Sequence, residues 1–337
     1  MNAHADQLKK PELIDPFARS IKYVRLSVTD RCDFRCVYCM SEDMRFLPRN
    51  RVLTLEELVR LGQIFANLGV ETFRLTGGEP LIRRDIPWLV EQLAKSGEVV
   101  MTTNGSRLDK LAAPLKQAGL SRLNISLDTL NDKQFHELTR TGHLKDVLNG
   151  IDAAQSAGFS IKLNVVMMKG RNDDQILPLV EFATARGLDI SFIEEMPLGV
   201  IDEHSRQLAF MSSADVRQVI QTHFDLQPST HHTSGPSRYW QIAQPQNPHA
   251  SRVGFISPHS HNFCGDCNRV RVTSEGRLLL CLGNEEGTDL MPLLRGGDDD
   301  EVIASRIKTA LLMKPEKHHF DLNNEPQIVR FMNMTGG

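Results

Sequence analysis

Short apolar segments alternate with amphipathic helical patterns between residues 22 and 196. The pattern over Thr54–Leu68 opens with Thr54 and Glu57, the spacing of a capping box. It then places apolar side chains at intervals of three and four residues, which predicts a helix with one buried face. The other predicted helices are Ile86–Lys95, Leu108–Ala118, Lys133–Leu138, Leu144–Ala157 and Gln175–Arg186. The predicted strands are Lys22–Val28, Thr72–Leu75, Val99–Thr103, Leu123–Leu127, Ile161–Met167 and Ile190–Ile193.

This repetition of strand and helix predicts parallel strands joined by right-handed crossovers. Eight such units would complete a barrel, and six are visible, so the expected fold class is α/β, a partial (βα)6 barrel of the TIM type. After Met196 the pattern loosens. Residues 227–249 predict loops or an irregular hairpin, and Glu301–Leu312 predicts a terminal helix. The expected organisation is an N-terminal extension at 1–20, the barrel at 21–225 and a C-terminal region at 226–337.

The predicted strands carry polar side chains on one face. Because side chains alternate along a strand, Arg25 and Ser27 point to the same side of the first strand. The same spacing relates Arg74 to Thr76, Asn124 to Ser126 and Lys162 to Asn164 in later strands. A solvated strand end would explain any one of these positions, but a fully buried parallel strand is apolar on both faces. The set as a whole predicts a polar lumen with room for a ligand.

Charge and hydropathy narrow the function classes. The 337 residues include 39 Lys and Arg against 42 Asp and Glu, a formal net charge of −3. This balance excludes a generally basic nucleic-acid-binding coat and a polybasic membrane binder, so an anionic ligand must meet local positive charge. The chain has no apolar run of 18 residues, and its first twenty residues lack the apolar core of a signal peptide. We therefore expect a cytoplasmic protein.

The six cysteines fall into two groups of three. The chain is large enough to fold without disulfides, and reducing cytosol disfavours them, so two metal-binding sets are predicted. Thiolates favour zinc, Cu(I) or iron–sulfur clusters. A 4Fe–4S cluster held by three cysteines would keep one iron open for a ligand. The two groups are Cys32, Cys36 and Cys39, spaced C-x3-C-x2-C, and Cys264, Cys267 and Cys281, spaced C-x2-C-x13-C.

The first group directly follows the first predicted strand and has Tyr38 just before its last cysteine. In this it resembles the radical S-adenosylmethionine (SAM) superfamily, whose fold is a partial (βα)6 barrel. The resemblance implies that the open iron chelates SAM and that one electron cleaves SAM to methionine and a 5′-deoxyadenosyl radical. The segment 76–80 looks like the glycine motif of the superfamily and includes Gly78. Ser126 and Met196 fall where its members touch SAM.

The second group is followed by Arg269 and Arg271, two residues apart on an apparently extended segment. Both guanidinium groups can point the same way from beside the metal centre, which suits a polyphosphate. The alternative is a zinc ribbon that takes His259 or His261 as its fourth ligand. The paired histidines at 231–232 are more typical of a surface loop than of a metal site.

Taken together, the two cysteine blocks resemble the GTP 3′,8-cyclase family of molybdenum cofactor biosynthesis, from about Arg25 to the C-terminus. The resemblance implies a C-terminal segment with a second 4Fe–4S cluster, whose open iron binds the guanine of GTP. It also implies the product (8S)-3′,8-cyclo-7,8-dihydroguanosine 5′-triphosphate, formed after the radical removes the ribose 3′ hydrogen and the carbon radical adds to guanine C8. The implied GTP-binding residues are Arg25, Arg74, Thr102, Lys162, Arg269 and Arg271.

The chain ends in Gly336 and Gly337. In the family that it resembles, the terminal glycines form a tail that enters the active site, so catalytic roles are implied for both glycines and for Arg269 and Arg271. The family usually has an aliphatic residue where this chain has Thr335, which bears on how the tail packs.

The resemblance further implies four partners and allows a homodimer. The partners are GTP, SAM, an electron donor protein and, by product transfer, the downstream cyclic pyranopterin monophosphate synthase. Neither a nucleic acid nor a membrane is expected. The competing hypotheses are another radical SAM enzyme with two clusters, such as one that modifies peptides, and a zinc-stabilised binding protein without catalysis.

Overall fold

The structure is a computed structural model that describes residues 12–201, 205–243, 249–318, 320–321 and 328–336. In this structure the predicted strand segments between residues 22 and 196 form six parallel strands. The strands pair in chain order, each parallel to the next, so the predicted α/β fold with six strand–helix units is confirmed. They are β1 Tyr23–Ser27, β2 Thr72–Thr76, β3 Glu98–Thr103, β4 Arg122–Ser126, β5 Ser160–Met167 and β6 Asp189–Glu194.

The helices between these strands lie within two residues of the predicted bounds. They are α1 Leu55–Asn67, α2 Ile86–Ala94, α3 Leu108–Gln117, α4 Asp132–Thr139, α5 Leu144–Ser156 and α6 Ile176–Ala185. Later helices are α7 Arg206–Ala209, α8 Ser213–Gln221, α9 Met291–Gly296, α10 Asp300–Leu311 and α11 Met332–Thr335. None of the helices in the described part of the chain combines the length and the hydropathy needed to cross a membrane.

The predicted capping box fixes the start of α1. The Thr54 hydroxyl accepts a hydrogen bond from the Glu57 backbone N–H at 3.1 Å, and the Glu57 carboxylate accepts one from the Thr54 N–H at 2.7 Å. Such a cap contributes about 1 kcal/mol. The apolar face that follows buries Leu58, Leu61 and Phe65 completely. Because helices like this one cover the apolar side of the strands, the polar side faces the lumen.

The C-terminal half of the chain extends the sheet at both edges. Strand β9 (Arg252–Ile256) lies parallel to β6, and β10 (Arg269–Val272) lies parallel to β1. Of these two strands the sequence indicated only the extended segment around Arg269 and Arg271. Residues 257–268 join the strands through a single 3-10 turn, Cys264–Asp266, and no α-helix, so no strand–helix alternation marks them. Antiparallel strands continue each edge: β7 Leu226–Pro228 and β8 Arg238–Ile242 beyond β9, and β11 Arg277–Leu279 and β12 Gly287–Asp289 beyond β10.

Candidate active site

Both cysteine groups line the same cavity in the lumen of the sheet. Polar side chains from the inner face of β1, β2, β4 and β5 line it as well, which confirms the predicted polar lumen. The members of this inner face that line the cavity are Arg25, Arg74, Thr76, Asn124, Ser126, Lys162 and Asn164. All six cysteines are free of disulfides.

The first cysteine loop is tied to its neighbours through Asp33. The Asp33 carboxylate accepts hydrogen bonds from the Asn104 side chain at 2.7 Å and from the Ser106 hydroxyl at 3.0 Å, and it pairs with Arg107 at 3.2 Å. The backbone N–H groups of residues 35 and 37 bond to carbonyls at the end of α4. The loop therefore follows β1 directly and is held by the elements that follow β3 and β4.

The three cysteines of this loop are half-buried and line one cavity. Burial raises the pKa of Cys39 to about 12 and the pKa of Cys36 well above its ordinary value, and the charges of neighbouring thiols add to the shift at Cys36. Buried thiols that repel one another's negative charge become stable thiolates when a metal centre supplies positive charge. In the part of the chain that the structure describes, no three His, Cys, Asp or Glu side chains converge on a single-ion site. Three thiols within eight residues that line one cavity supply the sulfur ligands that a 4Fe–4S cluster takes.

The residues expected around SAM share a cavity with the first cysteine group. Tyr38, Gly78, Ser126 and Met196 all line the cavity. The Tyr38 hydroxyl donates a 2.7 Å hydrogen bond to the Asp128 carboxylate, which fixes the direction of the ring.

Gly78 is required by close backbone packing. Its N–H donates to the Thr29 carbonyl at 2.8 Å, and a Cβ at this position would lie 2.2 Å from the Arg31 carbonyl oxygen. The glycine therefore allows the β2 loop to approach the start of the cysteine loop, a role that sequence reasoning did not assign to it.

Glu79 was missed as a candidate although it belongs to the glycine motif at residues 76–80. Its carboxylate accepts hydrogen bonds from the Thr103 hydroxyl at 2.7 Å and from the backbone N–H groups of Asn104 and Leu81 at 2.6 and 2.9 Å. Burial raises its pKa to about 7. A polar residue directly after a Gly-Gly pair at a strand end is the signal that could have identified it.

The second cysteine group comes from two places in the chain. Cys264 and Cys267 precede β10, and Cys281 follows β11. Burial raises the pKa of Cys264. At Cys267 burial acts in the same direction, but Arg269 and Lys314 lie close and lower the pKa to about 7.

Three arginines stand side by side in the sheet. In the strand register, Arg25 on β1 lies opposite Arg74 on β2 and Arg271 on β10. Like charges on directly opposed residues destabilise a sheet, so this ladder implies an anionic ligand. Burial and the neighbouring Arg271 lower the pKa of Arg25, and burial and Arg269 lower the pKa of Arg271 to about 10.

The remaining expected GTP contacts lie on the same face. Arg74 donates to the Thr102 hydroxyl at 2.9 Å and to the Tyr23 hydroxyl. The Lys162 ammonium lies 3.3 Å from the Tyr239 hydroxyl, and burial together with Arg74 lowers its pKa to about 7. The structure thus brings all six residues implied for GTP into one cavity.

The C-terminal tail reaches this arginine ladder. The Gly336 carbonyl accepts a 3.2 Å hydrogen bond from Arg25, and the Thr335 carbonyl accepts one from Arg271 at 3.5 Å. Thr335 is buried, and its hydroxyl donates to the Met332 carbonyl at 2.9 Å, so the polar side chain is accommodated. Gly337 lies outside the described residues.

The histidines considered for a zinc ribbon are placed elsewhere. The His259 ring nitrogen Nε2 lies 2.9 Å from the Glu195 carbonyl, and His261 is exposed. Neither lines the cavity, and the His231 ring packs edge-on against Tyr239 at 5.0 Å. A zinc ribbon would therefore not obtain its fourth ligand from His259 or His261.

Comparisons with known proteins agree with this geometry. Residues 26–183 match the Radical SAM superfamily, and residues 188–320 match the family Molybdenum Cofactor Synthesis C. A protein of Marinobacter nauticus named GTP 3′,8-cyclase is 58% identical over 98% of this chain and 100% of its own length. A protein of the same name from Pseudomonas syringae is 56% identical over 98% of this chain and 100% of its own length.

Solved structures resemble the fold. The crystal structure of Streptococcus suis SuiB bound to S-adenosylmethionine has a TM-score of 0.59 and 18% identity, with 94% of this chain and 78% of that chain covered. A second SuiB structure has a TM-score of 0.62 and 16% identity, covering 95% of this chain and 78% of that chain.

Proposed function

The chain belongs to the GTP 3′,8-cyclase family of radical SAM enzymes, and on that premise we propose how its cavity serves the conversion of GTP to (8S)-3′,8-cyclo-7,8-dihydroguanosine 5′-triphosphate. This is the first step of molybdenum cofactor biosynthesis. The observation that carries the proposal is that two sets of three cysteines and a ladder of arginines line one cavity.

The first cysteine group would hold a 4Fe–4S cluster through Cys32, Cys36 and Cys39. When bound, a cluster of this type donates one electron to SAM and so supplies the 5′-deoxyadenosyl radical. The residues proposed to orient SAM are Tyr38, Gly78, Ser126 and Met196. Asp128 positions Tyr38 through their 2.7 Å hydrogen bond. The protein therefore contributes orientation and exclusion of water, which is its usual share in cofactor chemistry.

The arginine ladder would bind the triphosphate of GTP. Arg25, Arg74 and Arg271 lie on adjacent strands at the same register position, so an anionic ligand bound there would offset their like charges. Lys162, Thr102 and Arg269 add further contacts in the same cavity.

The second cysteine group would hold the second cluster through Cys264, Cys267 and Cys281, with an open position toward the guanine. The tail adds backbone to the same site. Gly336 and Thr335 are bound to two of the ladder arginines, which supports a catalytic role for the tail. We extend that role to Gly337, as the family resemblance implies.

The proposal includes a cytoplasmic enzyme that acts with an electron donor protein, passes its product to cyclic pyranopterin monophosphate synthase, and can form a homodimer. We also propose a barrel at 21–225 and a C-terminal cluster and substrate region at 226–337, after an extension at 1–20. The division is supported by the strands after residue 225, which add to the edges of the six-stranded unit.

Anaerobic incubation of the reconstituted protein with GTP, SAM and a reductant tests this function. We expect equal amounts of 5′-deoxyadenosine and the cyclic product, measured by chromatography with mass detection. Formation of 5′-deoxyadenosine without a GTP-derived cyclic product would contradict the substrate. Stoichiometric zinc in place of iron and sulfide would contradict the enzyme itself.

A further inference from the structure

Lys314 is a buried lysine beside the second cysteine group, and the proposed chemistry does not use it. It follows α10 and is 3% exposed. Its ammonium donates to the Cys267 sulfur at 3.8 Å, to the Arg269 carbonyl at 3.0 Å and to the Leu280 carbonyl at 2.5 Å. One side chain therefore uses its three N–H groups to join the segment around Cys267 to the residue that precedes Cys281.

The charge of Lys314 has an unusual set of neighbours. A buried ammonium is costly unless an anion compensates it. No carboxylate among the described ion pairs contacts Lys314, and the nearby Asp15 pairs instead with Arg19 at 2.6 Å. The Cys267 sulfur lies 3.8 Å from the Lys314 ammonium, and as a metal ligand it would be the thiolate that compensates this charge.

Arg19 braces the same group without touching a sulfur. Its guanidinium donates to the Cys264 carbonyl at 2.8 Å and to the carbonyls of Pro315 and Glu316 at 2.8 and 2.7 Å. Residues 314–316 are thus linked to Cys264 through Arg19 and to Cys267 through Lys314. Lys314 alone of this pair carries its charge to a cysteine sulfur.

We propose that Lys314 is a positioning residue for the second cluster. Lys314 helps to retain the cluster by fixing Cys267 and Cys281, and its positive charge raises the reduction potential of the cluster. A nearby cation stabilises the more negative, reduced form of a thiolate-bound cluster, so the potential rises. This inference rests on the proposed second cluster.

The test uses the full-length chain with Cys32→Ser, Cys36→Ser and Cys39→Ser, so that iron reports the second site alone. Lys314→Met, Lys314→Gln and Lys314→Arg are introduced into this parent, and Lys317→Met serves as the matched control because Lys317 is exposed in the same segment. The two readouts are the rate of iron loss to a chelator and the midpoint potential from an anaerobic titration followed by electron paramagnetic resonance. Circular dichroism checks that each variant folds.

We expect Lys314→Met to lose iron about 10–100-fold faster than the parent, the usual effect of removing a group that supports a metal ligand. Its potential should shift to a lower value. Lys314→Gln should show the same downward shift in potential, with iron loss slower than in Lys314→Met. Lys314→Arg should restore most of the parent potential, and Lys317→Met should match the parent in both readouts.

An unchanged potential in both neutral variants would overturn the inference. If Lys314→Met retains no cluster, Lys314→Gln is compared with Lys314→Arg. Loss of the cluster in both of these variants would overturn a role for the charge. Retention of the cluster in Lys314→Arg alone would support it. A parent that binds no iron overturns the second cluster as well, whereas failure confined to the Lys314 variants overturns this inference alone.

Discussion

The two cysteine groups line one cavity but differ in the charged side chains beside them. Around the first group, burial and the charges of Glu79 and Asp128 raise the pKa of its cysteines. Around the second, Arg269 and Lys314 oppose burial and bring the pKa of Cys267 down to about 7. Acidic neighbours disfavour an added electron and basic neighbours favour it. We therefore expect a cluster held by the first group to have the lower reduction potential, and a cluster held by the second group, beside Arg269 and Lys314, to have the higher one.

The sharpest way to separate the two sites is to remove one ligand from each. Cys36→Ala should halve the iron content, from about eight to about four atoms per chain for two 4Fe–4S clusters, and abolish 5′-deoxyadenosine formation. Cys267→Ala should also halve the iron but leave SAM cleavage measurable, with no cyclic product. Iron analysis and product chromatography check both. Cyclic product from Cys267→Ala would show that the second group is dispensable.

The first site was more visible in the sequence than the second because its chemistry is local. Three cysteines within eight residues, directly after β1, form a single short motif, and that motif carries the family resemblance from which the site was assigned. Strands β1 to β6 were equally visible, since alternating periodicity is a local signal. The α1 capping box and the α10 helix were located in the same way.

The second site depends on contacts that are distant in sequence. Lys314 lies 47 residues from Cys267, and Arg19 lies 245 residues from Cys264. The parallel pairing of β10 with β1 also joins the two ends of the chain, and it is this pairing that places Arg271 next to Arg25. No window of sequence contains such a contact. The arginines could be listed in advance, but their ladder could not.

The arginine ladder gives the second prediction. Arg271→Ala should weaken GTP binding about 10–100-fold, because a hydrogen bond to a charged group contributes about 1.5–3 kcal/mol. SAM binding at the first site should be unchanged. Isothermal titration with each ligand under anaerobic conditions measures both, and Arg306→Ala on the exposed face of α10 is the matched control. Equal weakening of SAM and GTP would show that the ladder serves the whole cavity rather than the substrate side.

Lys162 gives a pH test of the substrate side. Burial lowers its pKa to about 7 in the free protein, so raising the pH from 6.5 to 8.5 converts most of it to the neutral amine. The anionic triphosphate binds the ammonium form more tightly than the neutral amine, so above pH 7 the protein takes up a proton when GTP binds. The affinity for GTP should therefore fall by at most about tenfold per pH unit above 7. In Lys162→Arg, which stays charged, this loss should disappear. Because GTP itself titrates, the measured quantity is the difference between the two proteins, and parallel pH profiles would contradict the assignment.

The smallest expected effect lies at the first site, where Tyr38 donates to Asp128. Tyr38→Phe removes one hydroxyl and leaves the buried Asp128 without that donor, although the Val166 N–H still bonds to the same carboxylate at 2.8 Å. A loss of about 1 kcal/mol is expected, seen as a several-fold weaker SAM binding with iron content and GTP affinity unchanged. Asp128→Asn combined with Tyr38→Phe should cost little more than either change alone, because the two groups act through one bond. Additive losses in this double-mutant cycle would show that Tyr38 acts on SAM independently of Asp128, and a fall in GTP affinity would show that the two halves of the cavity are coupled.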